Sequence, residues 1–403
     1  MDIILLIPNR RCFGMKILIL SCNTGGGHNS AAAAVKEYFD SKDVYCEIQD
    51  ALAFDSRLKS EIISKGHVML YKKAPGLFGA GYRFAEKHPS KPGSESLTYV
   101  IMKRGVEKLY DYLSNNHFDA VLCTHVFACM LMTEVKKCYS ISLRSYFIAT
   151  DYASYPGIEE VKADAFFIAH KYLIPDYLNY GVEEQLLIPT GIPIKHAFYK
   201  SLSKENAKDF LGLPKDKKVI LLMCGSMGCG PVYKLGKMLL EKLPQNAKLV
   251  IVCGSNEKLV NKFEKLPSDQ NLRVVGFTDK MNIYMDACDV VMTKPGGLSS
   301  TESATKGLPM VLMNVVAGCE TRNLEFFLNN EFAVSAETLE GLADEAISLL
   351  ADDEKMASLK NLLNESFSVY AAGMIGDHVI TDVKNDMEPE TNLAIAETEF
   401  FAE

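Results

Sequence analysis

The chain predicts an α/β protein of two halves, each a doubly wound parallel sheet. Three observations carry this. Short apolar runs of strand length alternate with helical patterns along the chain. The alternation pauses at a Pro/Gly-rich break, PTGIPIKHAF, around residues 189 to 198 and then restarts. Each half also opens alike, with an apolar strand running into a glycine-rich loop: ILILSCNTGGGH and VILLMCGSMGCG.

In the first half the strand runs are MKILIL, VYCEIQDA, FDAVLCTH, RSYFIATD and AFFIAH, with a helix through SAAAAVKEYFD after the first. The second half follows a polar helix, SKENAKDFLGLP, and contains KKVILLMCGS, AKLVIVCGS, LRVVGF, DVVMTKPGG and LPMVLMN. Near-continuous apolar runs are what strands buried on both faces look like, as in parallel sheets. The 403 residues suit two domains of roughly 150 to 200 residues each. The expected division is 15–195 and 196–365, with a C-terminal helix over 366–386 and an acidic, disordered tail over 387–403. Residues 1–14 precede a second methionine, Met15, that begins a cleaner strand, and they read as an extension or a start-site artefact.

Composition narrows the function. Hydrophobic residues make up 48% and charged residues 23%, a globular balance. No run approaches the ~18 apolar residues of a spanning helix, and the opening IILLIP lacks the features of a secretion signal. Eleven cysteines without a CxxC pair, mostly inside apolar runs, read as buried thiols in a reducing compartment and not as a zinc or disulfide framework. The net charge of −8 argues against bulk attraction to nucleic acid. Residues 57–108, however, carry eleven Lys/Arg against four Asp/Glu. Within them, segment 64–105 mixes Lys72, Lys73 and Arg83 with Leu, Phe and Tyr. This suits either an anionic membrane interface or an inserted loop packed on its own domain.

Several loops have the chemistry to hold ligands. In KPGGLSSTESATKGLP, Gly296 and Gly297 allow close backbone approach, and Ser299, Ser300 and Thr301 are natural caps for a following helix whose N-terminus suits phosphate. Glu302 would lie in that helix's first turn, either accepting hydrogen bonds from a ribose diol or complementing the helix dipole. CGSMGCG, with Gly225 and Ser226, offers a second bed of backbone donors or an ordinary tight turn. A nucleotide P-loop is excluded because no GK[ST] occurs, and the dinucleotide fingerprint fails because Ser30 stands where its third glycine belongs. Lacking any Asp-x-Asp pair, the chain fits metal-free handling of a diphosphate.

Taken together, SCNTGGGHNSAA, ATDYASYPGIEEVKAD, LLIPTGIPI, CGSMG, TKPGGLSSTESATKGLP and AGCETRN resemble glycosyltransferase family 28, in its monogalactosyldiacylglycerol synthase and processive diacylglycerol glucosyltransferase group. The resemblance runs from Met15 to about residue 380. It implies a GT-B fold, two Rossmann-like domains facing across a cleft, with a UDP-sugar on the second and a lipid acceptor on the first. It further implies inverting transfer of a hexose to the 3-hydroxyl of diacylglycerol, by a peripheral enzyme on the cytosolic membrane face, with no cofactor and no metal. The basic segment 64–105 falls where the family's acceptor and membrane region lies.

By the same resemblance, His28 is the first candidate for a base, Asp151 the second candidate base or the orienter of an imidazole, and His125 a further position near the cleft. Gly225, Ser226, Gly296 and Gly297 would face the diphosphate, Glu302 the ribose, Phe277 the uracil, and Glu320 and Asn323 the sugar hydroxyls. The bare backbone of Gly25, Gly26 and Gly27 would make room for the acceptor or hexose. Two departures stand out. Cys319 replaces a glutamine common in relatives, and YASYPGIEE lacks the histidine or tryptophan that diacylglycerol enzymes often carry after this aspartate. The rival readings are a related transferase, such as one moving N-acetylglucosamine to an undecaprenyl lipid, and a non-catalytic UDP-sugar or lipid sensor.

Overall fold

All ten apolar runs form strands, and they assemble into two parallel sheets. The computed structural model describes residues 14–23, 26–54, 97–155, 157–223, 225, 228, 230–266, 270–313 and 319–387. Gly25, Ser226, Lys72, Lys73, Arg83, most of the basic segment and the acidic tail lie outside the described residues.

The first sheet holds β1 (Lys16–Ser21), β2 (Tyr45–Asp50), β3 (Ala120–Cys123), β4 (Arg144–Ile148), β5 (Ala165–Ile168) and β6 (Leu187–Pro189), in the order β2-β1-β3-β4-β5-β6. The second holds β7 (Lys218–Met223), β8 (Ala247–Val252), β9 (Leu272–Val275), β10 (Val290–Thr293) and β11 (Met310–Leu312), in the order β11-β10-β7-β8-β9. Every strand pair is parallel, so helices must cover both faces.

Alternation along the strands shows how the layers are filled. On β1, Leu18 and Leu20 face a core shared with the helix Val126–Tyr139, while Ile17 and Ile19 face Ala32, Val35 and Phe39 of the helix Gly26–Asp40. That second layer is completed by Ala372, Ile375, Val379 and Val383 of the last helix, Ala371–Met387. The last helix therefore lies against the first sheet, although it follows the second in the chain. Tyr38 and Tyr146 donate to Asp377 and Asp382 at 2.5 and 2.9 Å, and Arg144 donates twice to Asp386 at 2.7 Å. In the second sheet Ile220, Leu222, Leu249 and Ile251 pack against Leu235 and Leu239 of the helix Val232–Lys242 and Ala343 and Ala346 of the helix Leu339–Ala351.

Both strand orders reverse direction at one point, between β1 and β3 and between β7 and β10. Ligands in such sheets bind outside the carboxyl ends of the strands at these points. The loops there are three glycine-rich ones, SCNTGGGH after β1, CGSMGCG after β7 and KPGG after β10, together with CTH after β3.

Candidate active site

The two sheets meet through those loops. Gly297 begins the helix Gly297–Thr305, and a Cβ added there would sit 1.9 Å from the Thr150 carbonyl oxygen, so only glycine fits the contact. Leu298 reaches across to Gly27, where an added Cβ would lie 3.3 Å from its Cδ2. Thr301 Oγ1 and the Tyr152 hydroxyl lie 2.6 Å apart, both buried. A side chain at Gly27 would therefore crowd the second domain's Leu298. Gly26 opens the helix that carries His28.

His28 sits in the first turn of the helix Gly26–Asp40, partly accessible yet ringed by protein. Its Nδ1 lies 2.8 Å from the Thr124 carbonyl and 3.0 Å from Thr150 Oγ1. A carbonyl can only accept, so Nδ1 carries the hydrogen and Nε2 keeps its lone pair. Desolvation lowers the imidazole's pKa, against the opposing effects of Asp151 and the Thr124 bond, which favours the neutral ring. His125 packs edge-on to His28, with ring centroids 4.6 Å apart. Its Nδ1 accepts from the Phe127 N–H at 3.0 Å, capping the helix Val126–Tyr139. His125 is therefore a cap that walls His28.

Asp151 follows β4 in the same cleft. Oδ2 accepts from the Tyr155 hydroxyl at 3.1 Å, and Oδ1 accepts from Asn323 Nδ2 at 2.8 Å. Burial raises its pKa; Asn323, His28 and Tyr155 pull it back, and Glu320 adds to the rise. Asn323 itself is fully buried. Its amide also donates to the Pro295 carbonyl at 2.9 Å and accepts from the Tyr152 N–H at 2.6 Å. Both of its hydrogens are committed inside the protein, so it clamps Asp151 and has no donor left for a sugar hydroxyl. That corrects its expected role.

On the second-domain side, Gly225 takes φ +64, and Lys294 Cε lies 3.1 Å from where its Cβ would be. Lys294 also passes within 4.0 Å of the corresponding point on Gly296, and it forms an ion pair with Glu320. One ammonium therefore stands between both glycine loops. Sequence reasoning missed Lys294, although the quoted KPGG motif contains it. Glu320 pairs with this lysine, and Cys319 begins their helix, Cys319–Asn329.

The helix after KPGG is capped by Gly296 without a side-chain bond, not by Ser299, Ser300 or Thr301; Thr301 instead bonds back to the Gly297 carbonyl at 2.6 Å. Glu302 consequently lies in the second turn. Desolvation pushes its carboxyl up to about 8 against the pull of Lys195, and no described residue hydrogen-bonds its side chain. Phe277, in the loop after β9, is 73% exposed. Among the described residues no cluster of His, Cys, Asp or Glu has the arrangement of a metal site.

Two doubly wound domains that meet through such loops form the GT-B fold. Residues 28–194 match the monogalactosyldiacylglycerol (MGDG) synthase family, and residues 203–362 match glycosyl transferases group 1. The processive diacylglycerol beta-glucosyltransferase of Bacillus pumilus is 27% identical over 350 residues, covering 86% of this chain and 89% of that one. That of Bacillus mycoides is 26% identical over 378 residues, covering 93% and 95%. Acinetobacter baumannii MurG shares the fold with a TM-score of 0.60 at 12% identity, covering 92% of this chain and 100% of its own. UDP-bound MnaA of S. aureus gives 0.59 at 14%, covering 91% and 96%. The chain is thus a glycosyltransferase whose first half is similar to the monogalactosyldiacylglycerol synthases and which over most of its length is similar to processive diacylglycerol glucosyltransferases.

Proposed function

We propose that the protein transfers a hexose from a UDP-sugar to the 3-hydroxyl of diacylglycerol, with inversion, at the inner face of the cell membrane. One observation carries the chemistry. His28 is a desolvated imidazole whose Nδ1 proton is held by Thr124, leaving Nε2 as a proton acceptor in the seam. The acceptor hydroxyl gives its proton to Nε2 while its oxygen bonds to the anomeric carbon. The bond from that carbon to the β-phosphate oxygen breaks, and UDP leaves with the electron pair. Asp151, fixed by Tyr155 and Asn323, stabilises the imidazolium that forms.

The leaving diphosphate needs a positive field. Lys294, the free N–H groups at the start of the helix Gly297–Thr305, and the loop containing Gly225 and Ser226 supply it without a divalent metal. Glu302 is suited to the ribose diol, and Phe277 to the uracil edge. The diacylglycerol acceptor is supported by the names of the Bacillus relatives and of the matched synthase family. Lys72, Lys73 and Arg83 provide the docking charge toward an anionic surface.

The test is transfer by purified protein from radiolabelled UDP-glucose, UDP-galactose or UDP-N-acetylglucosamine to vesicles that contain both diacylglycerol and an undecaprenyl-linked acceptor. Label in a neutral glycolipid is expected from one of the two hexose donors. Label only in an undecaprenyl lipid, or UDP binding with no transfer, overturns the reading in favour of the MurG-like or the sensor alternative.

A further inference from the structure

We propose that Asn323 is a positioning residue through which the second domain holds Asp151 ionised for catalysis. This rests on the glycosyl-transfer reading above. Asn323 belongs to the second domain, in the helix Cys319–Asn329, yet its amide reaches the first at two points: the Asp151 carboxylate at 2.8 Å and the Tyr152 N–H at 2.6 Å. Its remaining hydrogen goes to the Pro295 carbonyl at 2.9 Å, next to the Gly296–Gly297 donor loop. One fully buried amide thus joins the proposed proton-transfer pair to the loop proposed for the leaving group.

Asp151 receives one hydrogen-bond donor from each domain, Tyr155 from its own loop and Asn323 from across the seam. Tyr155 travels with Asp151 in any separation of the domains, whereas Asn323 does not. The other titratable groups facing Asp151 are His28 from the helix Gly26–Asp40, Glu320 from the helix that carries Asn323, Tyr152 in the same loop and Tyr177 from the helix Ile174–Asn179. Glu320 is an acid held near Asp151 and opposes its ionisation. Burial does the same, so the charged form depends on its donors. A side chain at 323 without an N–H removes the donor that the seam provides.

The expected signature is a displaced pH profile and not a uniform loss. Asn323→Ala should lower kcat at pH 7 about tenfold or more, the usual effect of losing a hydrogen bond to a buried charge. The acid limb of its profile should move to higher pH, so part of the deficit is recovered under alkaline conditions. Tyr155→Phe, which removes the donor from within the first domain, should move the limb the same way. Should Asn323→Ala not fold, Asn323→Ser, which keeps a polar group in the buried site but is too short to reach Asp151, gives the same readout.

A reduced kcat with an unmoved acid limb in the Asn323 variant overturns the inference and leaves Asn323 as packing alone. If the wild-type protein transfers no hexose in the same assay, the underlying reading fails instead. The two failures are thereby separated.

Discussion

His28 and Glu302 stand on opposite domains, each on the helix that follows a switch-point strand, and they are prepared in opposite ways. His28 is held by Thr124 and Thr150, and burial keeps it neutral with one nitrogen bare. Glu302 has no hydrogen-bond partner among the described residues, and burial pushes it up to about 8, so at neutral pH it is mostly protonated. The contrast separates two tasks. The group proposed to move a proton is assembled before substrate arrives, while the group proposed to bind donor waits for hydroxyls to satisfy it.

The largest way to break the packing of the seam itself is Gly297→Ala. Its methyl would meet the Thr150 backbone, and the seam must open to admit it. Turnover should fall about a hundredfold, as expected for a displacement near 1 Å at a reacting centre. Wild-type turnover in this variant would show that the seam need not close. Lys294→Met comes next: the KM for the UDP-sugar should rise about tenfold or more, with the loss of a charge-assisted contact to phosphate. An unchanged KM would remove Lys294 from the donor site.

Glu302 offers a test with a defined sign. Its folded pKa of about 8 exceeds the ordinary 4.5, so between these values the folded state holds a proton that the unfolded state has released. Stability should therefore decline as pH rises from 4.5 toward 8, and Glu302→Gln should flatten that decline in thermal melts across this window. Ribose hydroxyls that bind the carboxylate would lower its pKa. UDP binding at pH 7 should then release a proton in the wild type and not in the variant, as calorimetry in buffers of different ionisation enthalpy would show. The smallest effect belongs to the last helix. Asp386→Ala should cost about 0.2–1 kcal/mol in denaturant titration, because its pair with Arg144 is largely exposed.

Much of the fold is legible in the sequence because strands buried on both faces leave unbroken apolar runs. β6 escaped notice because Leu187–Pro189 is three residues long and ends at a proline. The glycine loops are equally legible, since backbone freedom leaves a compositional mark. What the sequence hides is partnership across the seam. Asn323 and Asp151 are 172 positions apart, and no local pattern reveals that one clamps the other. Lys294 is hidden for a related reason: its position over Gly225 depends on how β7 and β10 lie side by side. The serines and threonine of LSST suggested a cap, but the seam needs glycine at 297, and the helix starts there.

The central claim is that His28 takes the acceptor's proton while the second domain holds the donor. Its most direct test is His28→Ala, measured for hexose transfer to diacylglycerol vesicles and, by titration calorimetry, for UDP affinity. The account predicts a loss of about 10²- to 10⁴-fold in kcat with UDP affinity unchanged. Retained turnover, or a loss of UDP affinity as large as the loss of turnover, would contradict it.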